Sequence, residues 1–208
     1  MVEAAALREQ IVTAALALGE RTSWERVTLS GIADELGITL EQIRVHFPHK
    51  DDIAEAWFDR ADSAMLRYAA TADFRAQSDE LRVYGVIMVW LDALAPHRRV
   101  TGEMLLYKFE PGHLHLQALG IMRVSRTVQW FREAARLHAT KLRRVLEEAG
   151  LTSVYLLVFA RWLNDHSEDS AATRALLRRL LRAGAPLMGT TATAPEPYQA
   201  KPDDGGAR

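Results

Sequence analysis

The side chains best suited to binding chemistry in this sequence are arginines that gather in one part of the chain. A guanidinium group binds carboxylates and phosphates through paired hydrogen bonds, so this cluster suits a lipid headgroup or an acidic ligand. The same pattern is typical of a solvated helix face whose cations pair with carboxylates elsewhere, and we favour this second interpretation. The cations are Arg123, Arg126, Arg132, Arg136, Lys141, Arg143 and Arg144, opposed locally mainly by Glu133.

The sequence does not indicate a catalytic or metal site. We find no nucleophile beside a base, no paired acids and no phosphate-binding glycine loop at a useful spacing. The chain has no cysteine, which excludes disulfides, thiolate metal sites and cysteine nucleophiles. His113 and His115 would be candidate metal ligands, but residues two apart do not share a face of a helix. We therefore expect no enzymatic activity, no metal and no cofactor.

Composition places the chain among ordinary globular proteins. Of its 208 residues, 49% are hydrophobic and 25% are charged, which is too mixed for a disordered chain. The net charge of −1 excludes a globally basic nucleic-acid binder but leaves room for a local phosphate-binding patch. The first twenty residues mix charged with apolar side chains, unlike a signal peptide, and no apolar run would span a bilayer. We expect a cytoplasmic protein without a membrane partner.

Local signals near the N-terminus predict a helix-turn-helix unit over roughly residues 28 to 47. An apolar stripe first predicts a helix that ends near Gly19. Thr28 then suits the N-cap of a second helix, which Gly37 ends because glycine accepts the left-handed conformation. Thr39 and Gln42 have the spacing of a capping box, which predicts a third helix two residues later. Two short helices joined by about three residues including a glycine are typical of a helix-turn-helix.

The rest of the sequence predicts an all-α fold. Helical periodicity, interrupted by proline, glycine and polar breaks, predicts helices at about 51–72, 77–94, 99–109, 113–139, 140–165 and 171–187. We accordingly divide the chain into an N-terminal three-helix domain at 5–50, a larger helical domain at 51–188 and a disordered tail at 189–208.

The segment from Thr28 to Ile53, TLSGIADELGITLEQIRVHFPHKDDI, resembles the DNA-binding domain of TetR-family transcriptional regulators. This resemblance implies a helical ligand-binding and dimerisation domain, with a homodimer that binds a palindromic operator in double-stranded DNA, usually as a ligand-responsive repressor. The sequence departs from the family at Glu41, Gln42 and Arg44 in the third helix. The resemblance implies that Thr39, Leu40, Gln42 and Arg44 face the major groove, while Thr28, His46 and Lys50 hold phosphate.

A second resemblance offers an alternative function. The C-terminal segments HLHLQALGIMRVSRTVQWFREAA, VYLLVFARWLNDHS and TRALLRRLL are similar in pattern to Coq9-type proteins, with the Asp165–Ser167 break among the matching features. That group shares the TetR-like fold but binds isoprenoid lipid and assists ubiquinone biosynthesis. The alternative is therefore a lipid-binding accessory protein that keeps the fold without reading DNA.

Apolar side chains in the second domain suggest a ligand pocket and a dimer interface. Aromatic and methionine residues would line a pocket for a small apolar or amphipathic ligand, namely Trp90, Met104, Tyr107, Met122, Trp130, Tyr155 and Trp162. The predicted final helix is amphipathic and would lie on a membrane or meet a partner helix, of which we favour the partner helix. Its apolar residues are Leu176, Leu177, Leu180, Leu181 and Leu187.

Overall fold

The computed structural model describes the backbone of residues 2–108 and 114–188, and side chains over 3–107 and 120–184. Over these residues every regular element is helical, which confirms the predicted all-α class. The helices are α1 Val2–Arg21, α2 Leu29–Leu36, α3 Leu40–His46, α4 Lys50–Ala69, α5 Ala72–Arg75, α6 Asp79–Leu94, α7 Arg98–Lys108, α8 Leu114–Ala134, α9 Lys141–Leu163 and α10 Ala171–Met188. Short 3₁₀ turns occupy Ala95–His97 and Glu168–Ser170. The predicted tail at 189–208 and His113 lie outside the described residues.

Helices α1 to α3, which we call the head, pack on one another through buried apolar side chains. The stripe that predicts α1 supplies Ile11 and Ala15, and both are buried against Ile32 of α2 and Ile43 of α3. The buried residues of the head continue into those of α4 and α7, so one hydrophobic core runs through head and body.

The body, formed by α4 to α10, is built around the antiparallel pair α4 and α6. A Cβ atom added at Gly85 of α6 would lie 2.7 Å from the Tyr68 ring of α4, so this crossing requires a glycine. The Trp90 ring of α6 lies at the centre of the body, within 6.2 Å of the rings of Phe58, Phe131 and Phe159. The body therefore uses close helix contact at one end and aromatic packing at the centre.

Two helix ends differ from the predicted bounds. α4 ends at Ala69 because Thr71 caps an extra turn, α5, by accepting a hydrogen bond from the Phe74 amide at 3.3 Å. α8 ends at Ala134, five residues before the predicted end. There Arg136 adopts a left-handed conformation with φ of 58°, and the following amide at Leu137 donates to the Arg132 carbonyl. This is a Schellman ending in which arginine takes the place usually held by glycine, so the sequence carries no signal for it.

The two C-terminal helices differ in how their apolar residues are covered. Leu177 and Leu181 of α10 are buried within the protomer, whereas Leu176 and Leu180 are partly exposed, so a partner helix on α10 stays a prediction that rests on these two residues. A more exposed apolar face lies on α9, which packs beside α10, and its residues are Leu142, Val145, Leu146, Leu156 and Leu157.

The break between α9 and α10 has a local structural explanation. Asp165 is buried and accepts hydrogen bonds from the backbone and hydroxyl groups of Ser167 and Thr173, at 2.5–2.9 Å. Burial alone would raise the pKa of Asp165, but these hydrogen bonds outweigh it and hold the pKa below its usual value. The Asp165–Ser167 feature thus caps α10.

Over the described residues, no helix combines the length and the apolar character needed to cross a bilayer.

Candidate nucleic-acid interface

The turn between α2 and α3 follows the predicted helix-turn-helix geometry. The Thr28 hydroxyl caps α2 by accepting a hydrogen bond from the Gly31 amide at 3.0 Å. Gly37 ends α2 with φ of 64°, the left-handed conformation that glycine adopts without strain. At α3 the backbone N–H of Gln42 donates to the Thr39 hydroxyl, and the backbone N–H of Thr39 donates to Gln42 Oε1, which completes the capping box. These caps fix the residue at which α3 begins and the orientation of α3 relative to α2.

Buried residues determine which side of α3 faces outward. Ile43 and the following Phe47 are buried in the core of the head, and Ile32 and Ala33 of α2 pack against the same core. The remaining surface of α3 is open to solvent, and its exposed residues are Leu40, Glu41, Gln42, Arg44 and Val45. An α-helix of this kind, anchored on one side and exposed on the other, suits insertion into a DNA major groove.

The predicted base-contacting residues divide into two groups. Thr39 and Gln42 use part of their hydrogen-bonding capacity in the capping box, so they position α3 before they could contact a base. Leu40 and Arg44 are exposed, and within the described chain neither Arg44 nor its neighbour Glu41 forms an ion pair. A guanidinium that is free of carboxylates is available for phosphate or for a guanine edge.

The predicted phosphate-contacting residues have different surroundings. Thr28 is exposed beside the start of α2, and His46 is half-buried at the end of α3. Both lie on the head together with α3, which is compatible with a common DNA-facing side. Lys50 differs, because its ammonium group is already occupied within the protein.

Lys50 begins α4 and ties this helix to the loop that follows α1. Its Nζ donates to the carbonyl oxygens of Trp24, Glu25 and Val27 at 3.0–3.2 Å, which accounts for all three ammonium protons. The same Nζ lies 5.2 Å from the Trp24 ring centre and 4.9 Å from that of Tyr107. Burial lowers the pKa of Lys50, and Asp51 and Glu25 oppose this shift. A phosphate contact by Lys50 would require the ammonium group to leave these carbonyls.

A second set of contacts joins the head to α7. The Arg99 guanidinium donates to the carbonyl oxygens of Gly19 and Glu20, both at 2.8 Å, at the end of α1. The Trp24 amide donates to the Glu103 carboxylate at 2.6 Å. Since α7 belongs to the body, a change in its position would be transmitted directly to the head.

The structure places the predicted ligand residues in three different surroundings. Trp90, Tyr155 and Trp162 are buried in the aromatic centre of the body, and the Trp90 and Tyr155 ring centres lie 5.6 Å apart. Met104 is also buried. Tyr107 lies instead beside Lys50 at the head, which gives it a place in the head–body contact.

The other two predicted ligand residues, Met122 and Trp130, are exposed on α8. Met122 lines a cleft of about 520 Å³ between the start of α4 and α8. The walls of this cleft carry carboxylates from α4 and arginines from α8, including Asp51, Asp52, Glu55, Arg123 and Arg126. A ligand in this cleft would need polar groups of both signs as well as an apolar part.

Three members of the arginine cluster, Arg123, Arg126 and Arg132, pair with carboxylates, as we favoured, but Arg123 and Arg132 are buried rather than solvated. Arg123 lies inside the body, where its guanidinium contacts Glu55 at 3.3 Å, Asp59 at 2.7 Å and Asp62 at 2.8 Å. Asp62 also accepts a hydrogen bond from the Trp90 indole at 2.7 Å. Burial raises the pKa of Asp62, and the positive charge of Arg123 opposes this effect. Arg123 therefore clamps α8 onto α4.

A second buried pair joins α8 to α9. Arg132 donates from Nε to the Glu147 carboxylate at 3.0 Å, and both side chains are almost completely buried. Within the described chain, no three histidine, aspartate or glutamate side chains meet in a way that would hold a metal ion.

One exposed residue of α3, Val45, was missed by the sequence analysis. Its side chain is 74% exposed, whereas Ile43, two residues earlier on the same helix, is fully buried. The signal was present, because residues two apart on a helix lie on opposite sides. The spacing therefore predicts that, with Ile43 in the core, Val45 lies on the exposed side of α3.

Comparison with known proteins identifies the family. No family model and no curated protein matches the sequence. Among solved structures, the TetR transcriptional regulator from Nitrosomonas europaea ATCC 19718 is 46% identical, covers 86% of this chain and 98% of its own, and superposes with a TM-score of 0.77. A TetR transcriptional regulator from Rhodococcus sp. RHA1 shares the fold, with a TM-score of 0.62 at 18% identity over 85% of this chain and 94% of its own. With the helix-turn-helix head and the helical body in place, the extent of the first match shows that the chain belongs to the TetR family of transcriptional regulators.

Proposed function

We propose that this protein is a cytoplasmic homodimeric repressor that binds a palindromic operator and leaves it when a small apolar or amphipathic molecule binds the body. The observation that carries the proposal is the outer face of α3, which combines solvent-exposed side chains with an arginine that forms no ion pair in the described chain. Such a face has the shape and the donors for a major groove. The protein acts as a regulator and not as an enzyme.

The exposed leucines of α9 support a homodimer. They recur along one helix, and an apolar face of this kind in a water-soluble protein is normally covered by a partner. A twofold axis would bring the same face of two protomers together and place the two heads on neighbouring half-sites of one operator.

Release of DNA follows from the way α4 is held. Only residues 47–49 separate α3 from α4, and Lys50 binds the start of α4 to the loop after α1. Tyr107 of α7 covers the same ammonium group from the body. A molecule that shifts α4 or α7 would therefore change the spacing of the two α3 helices in the dimer, which is how its binding energy would oppose DNA binding.

The first experiment is a fluorescence-anisotropy titration of the protein against its own upstream intergenic DNA and a scrambled control, at two salt concentrations. Preferential binding to the upstream DNA is expected. Replacing Arg44 by alanine should weaken that binding by about 1–3 kcal/mol, since a direct base or phosphate contact is lost. Arg67→Ala removes the same charge from an exposed site at the far end of α4 and serves as the control.

Equal and weak binding to both DNAs, lost on adding salt, would overturn the proposed DNA-binding function. Specific binding that Arg44→Ala leaves unchanged would overturn only the role of Arg44. Release of the specific complex by a library of small apolar molecules would then identify the ligand class.

The dimer is tested by placing a charge on the exposed face of α9. Leu146→Asp should convert the protein to a monomer in analytical ultracentrifugation and weaken operator binding, because one head alone contacts one half-site. Leu81→Asp, at another exposed leucine on α6, is the matched control and should leave the dimer intact. A Leu146→Asp variant that remains dimeric would exclude this face as the interface.

A further inference from the structure

The outer face of α3 combines apolar and charged side chains in an order that suggests what it reads. Leu40 and Val45 are 53% and 74% exposed, and Arg44 and Glu41 lie between them in the sequence. Because successive helical residues are about 100° apart, Val45 lies about 200° from the buried Ile43 and therefore points away from the core. Val45 thus occupies the middle of the face that would enter a groove.

The polar residues that the family resemblance assigns to base contact are partly used elsewhere. Thr39 and Gln42 bind each other across the N-terminus of α3, through bonds of 2.9 Å and 3.2 Å. These bonds hold the hydroxyl group of Thr39 and the side-chain oxygen of Gln42 at the helix end. The side chains that remain for base recognition are mainly two charged ones, Arg44 and Glu41, and two apolar ones, Leu40 and Val45.

Apolar side chains have one specific partner in the major groove, the C5-methyl group of thymine. Arginine suits the O6 and N7 acceptors of guanine, and a glutamate accepts a hydrogen bond from the N4 amino group of cytosine. A face with Val45 at its centre, Leu40 at its start and Arg44 with Glu41 beside them is therefore complementary to thymines that flank a G·C pair.

We propose that α3 reads each operator half-site through thymine methyl groups, which Val45 and Leu40 contact, and that these contacts distinguish thymine from the other bases. This inference rests on the proposed DNA-binding function and adds the class of base to it. An exposed valine on this face buries more apolar surface when a thymine methyl group covers it, so the contact favours half-sites that carry thymine at that position.

The test removes single methyl groups from the DNA. The operator is first obtained by selecting bound sequences from random duplexes, and each half-site thymidine is then replaced in turn by deoxyuridine, which lacks only the methyl group. At one or more positions the wild-type protein should lose about fourfold in affinity by anisotropy at fixed salt, the effect of one buried methyl group.

The same DNAs are then titrated with Val45→Ala and Leu40→Ala. For each sensitive thymine, the loss on deoxyuridine substitution should disappear in one of the two variants, because the side chain that covers the methyl group is gone. Leu81→Ala, which truncates an exposed leucine outside the head, should retain the full loss. Circular dichroism of the two head variants should match the wild type, since both side chains are exposed.

The outcomes separate this inference from the proposed function. If selection enriches no sequence, the proposed function fails and the inference fails with it. If an operator is found but deoxyuridine binds as well as thymidine throughout both half-sites, the function stands and methyl-group reading is overturned. Losses that persist unchanged in both head variants would overturn the assignment to Val45 and Leu40.

Discussion

The turn between α2 and α3 and the contact between α4 and α8 both fix a helix in place, but they do so by different means. In the head, α3 is positioned by Gly37 and by the capping box of Thr39 and Gln42, all close neighbours in sequence. In the body, α8 is clamped by Arg123 to three carboxylates that are more than sixty residues away. The head depends on backbone conformation and the body on buried charge.

This difference determines how each region responds to substitution. A cap contributes about 1 kcal/mol, and its loss leaves polar groups that water can still reach. A buried charge that loses its partner cannot be solvated by water in this way, so the free-energy cost is larger. The largest single-residue effects on stability should therefore fall in the body, although the proposed DNA contacts lie in the head.

The largest expected effect is that of Arg123→Ala. It would leave Asp62 buried without its cation, while Glu55 and Asp59 would keep only Arg126, so we expect the free energy of unfolding to fall by about 3–5 kcal/mol in urea titration. Arg126→Ala is the matched control, because Arg126 binds the same Glu55 at 2.5 Å but is about half exposed. It should cost only about 0–1 kcal/mol. Equal costs for the two variants would remove the contrast between buried and exposed charge.

The next largest effects come from replacing two glycines by alanine, and the two changes in stability should have opposite signs. Neither Gly37 nor Gly150 has an atom within 4 Å of an added Cβ, so only backbone conformation separates them. Gly37→Ala places a side chain at φ of 64° and should destabilise the protein by about 1–2 kcal/mol. Gly150 lies within α9, where alanine should stabilise the helix by about 0.5–1 kcal/mol.

Thermal denaturation of the two glycine variants checks this pair. Shifts of the same sign would show that backbone conformation does not control the outcome. If Gly150→Ala lowers stability and also dissociates the dimer, a partner helix approaches α9 at this glycine.

The smallest expected effect compares two threonines at helix starts. Thr39 caps α3 through its hydroxyl group, whereas Thr140 stands at the N-cap of α9 without a side-chain capping bond. Thr39→Ala should cost about 1 kcal/mol, and Thr140→Ala should stay within about 0.5 kcal/mol of the wild type. Chemical denaturation of both variants measures the difference. A Thr140→Ala cost as large as that of Thr39→Ala would mean that cap geometry is not what stabilises α3.

The sequence predicted the head well because its signals are local. Thr28, Gly37 and the Thr39–Gln42 pair each act within four residues, so spacing alone indicates the caps that the structure confirms. The end of α8 was not predicted, since Arg136 takes a conformation for which glycine is the usual marker. The extra turn α5 was missed for a related reason, as a single capping threonine gives a weak signal in a periodic segment.

Long-range packing explains the remaining differences. Periodicity showed that α10 is amphipathic, but it does not say whether the apolar face meets the same protomer or another one. The structure buries Leu177 and Leu181 within the protomer, leaves Leu176 and Leu180 partly exposed, and exposes an apolar face on α9. Likewise, the arginine cluster was visible in the sequence, whereas the burial of Arg123 depends on α4, an element that no local pattern connects to α8.

The continuous core has a consequence for how the molecule unfolds. The Arg99 guanidinium of α7 donates to the Gly19 carbonyl at the end of α1 at 2.8 Å, and Val100 of α7 packs against the same glycine. Separating the head from the body would expose these surfaces, so the two regions should melt in one cooperative transition rather than two. A molecule that binds only the body would then raise the melting temperature of the head as well. For the same reason, a fragment that stops at residue 50 would lack the helix that completes its core.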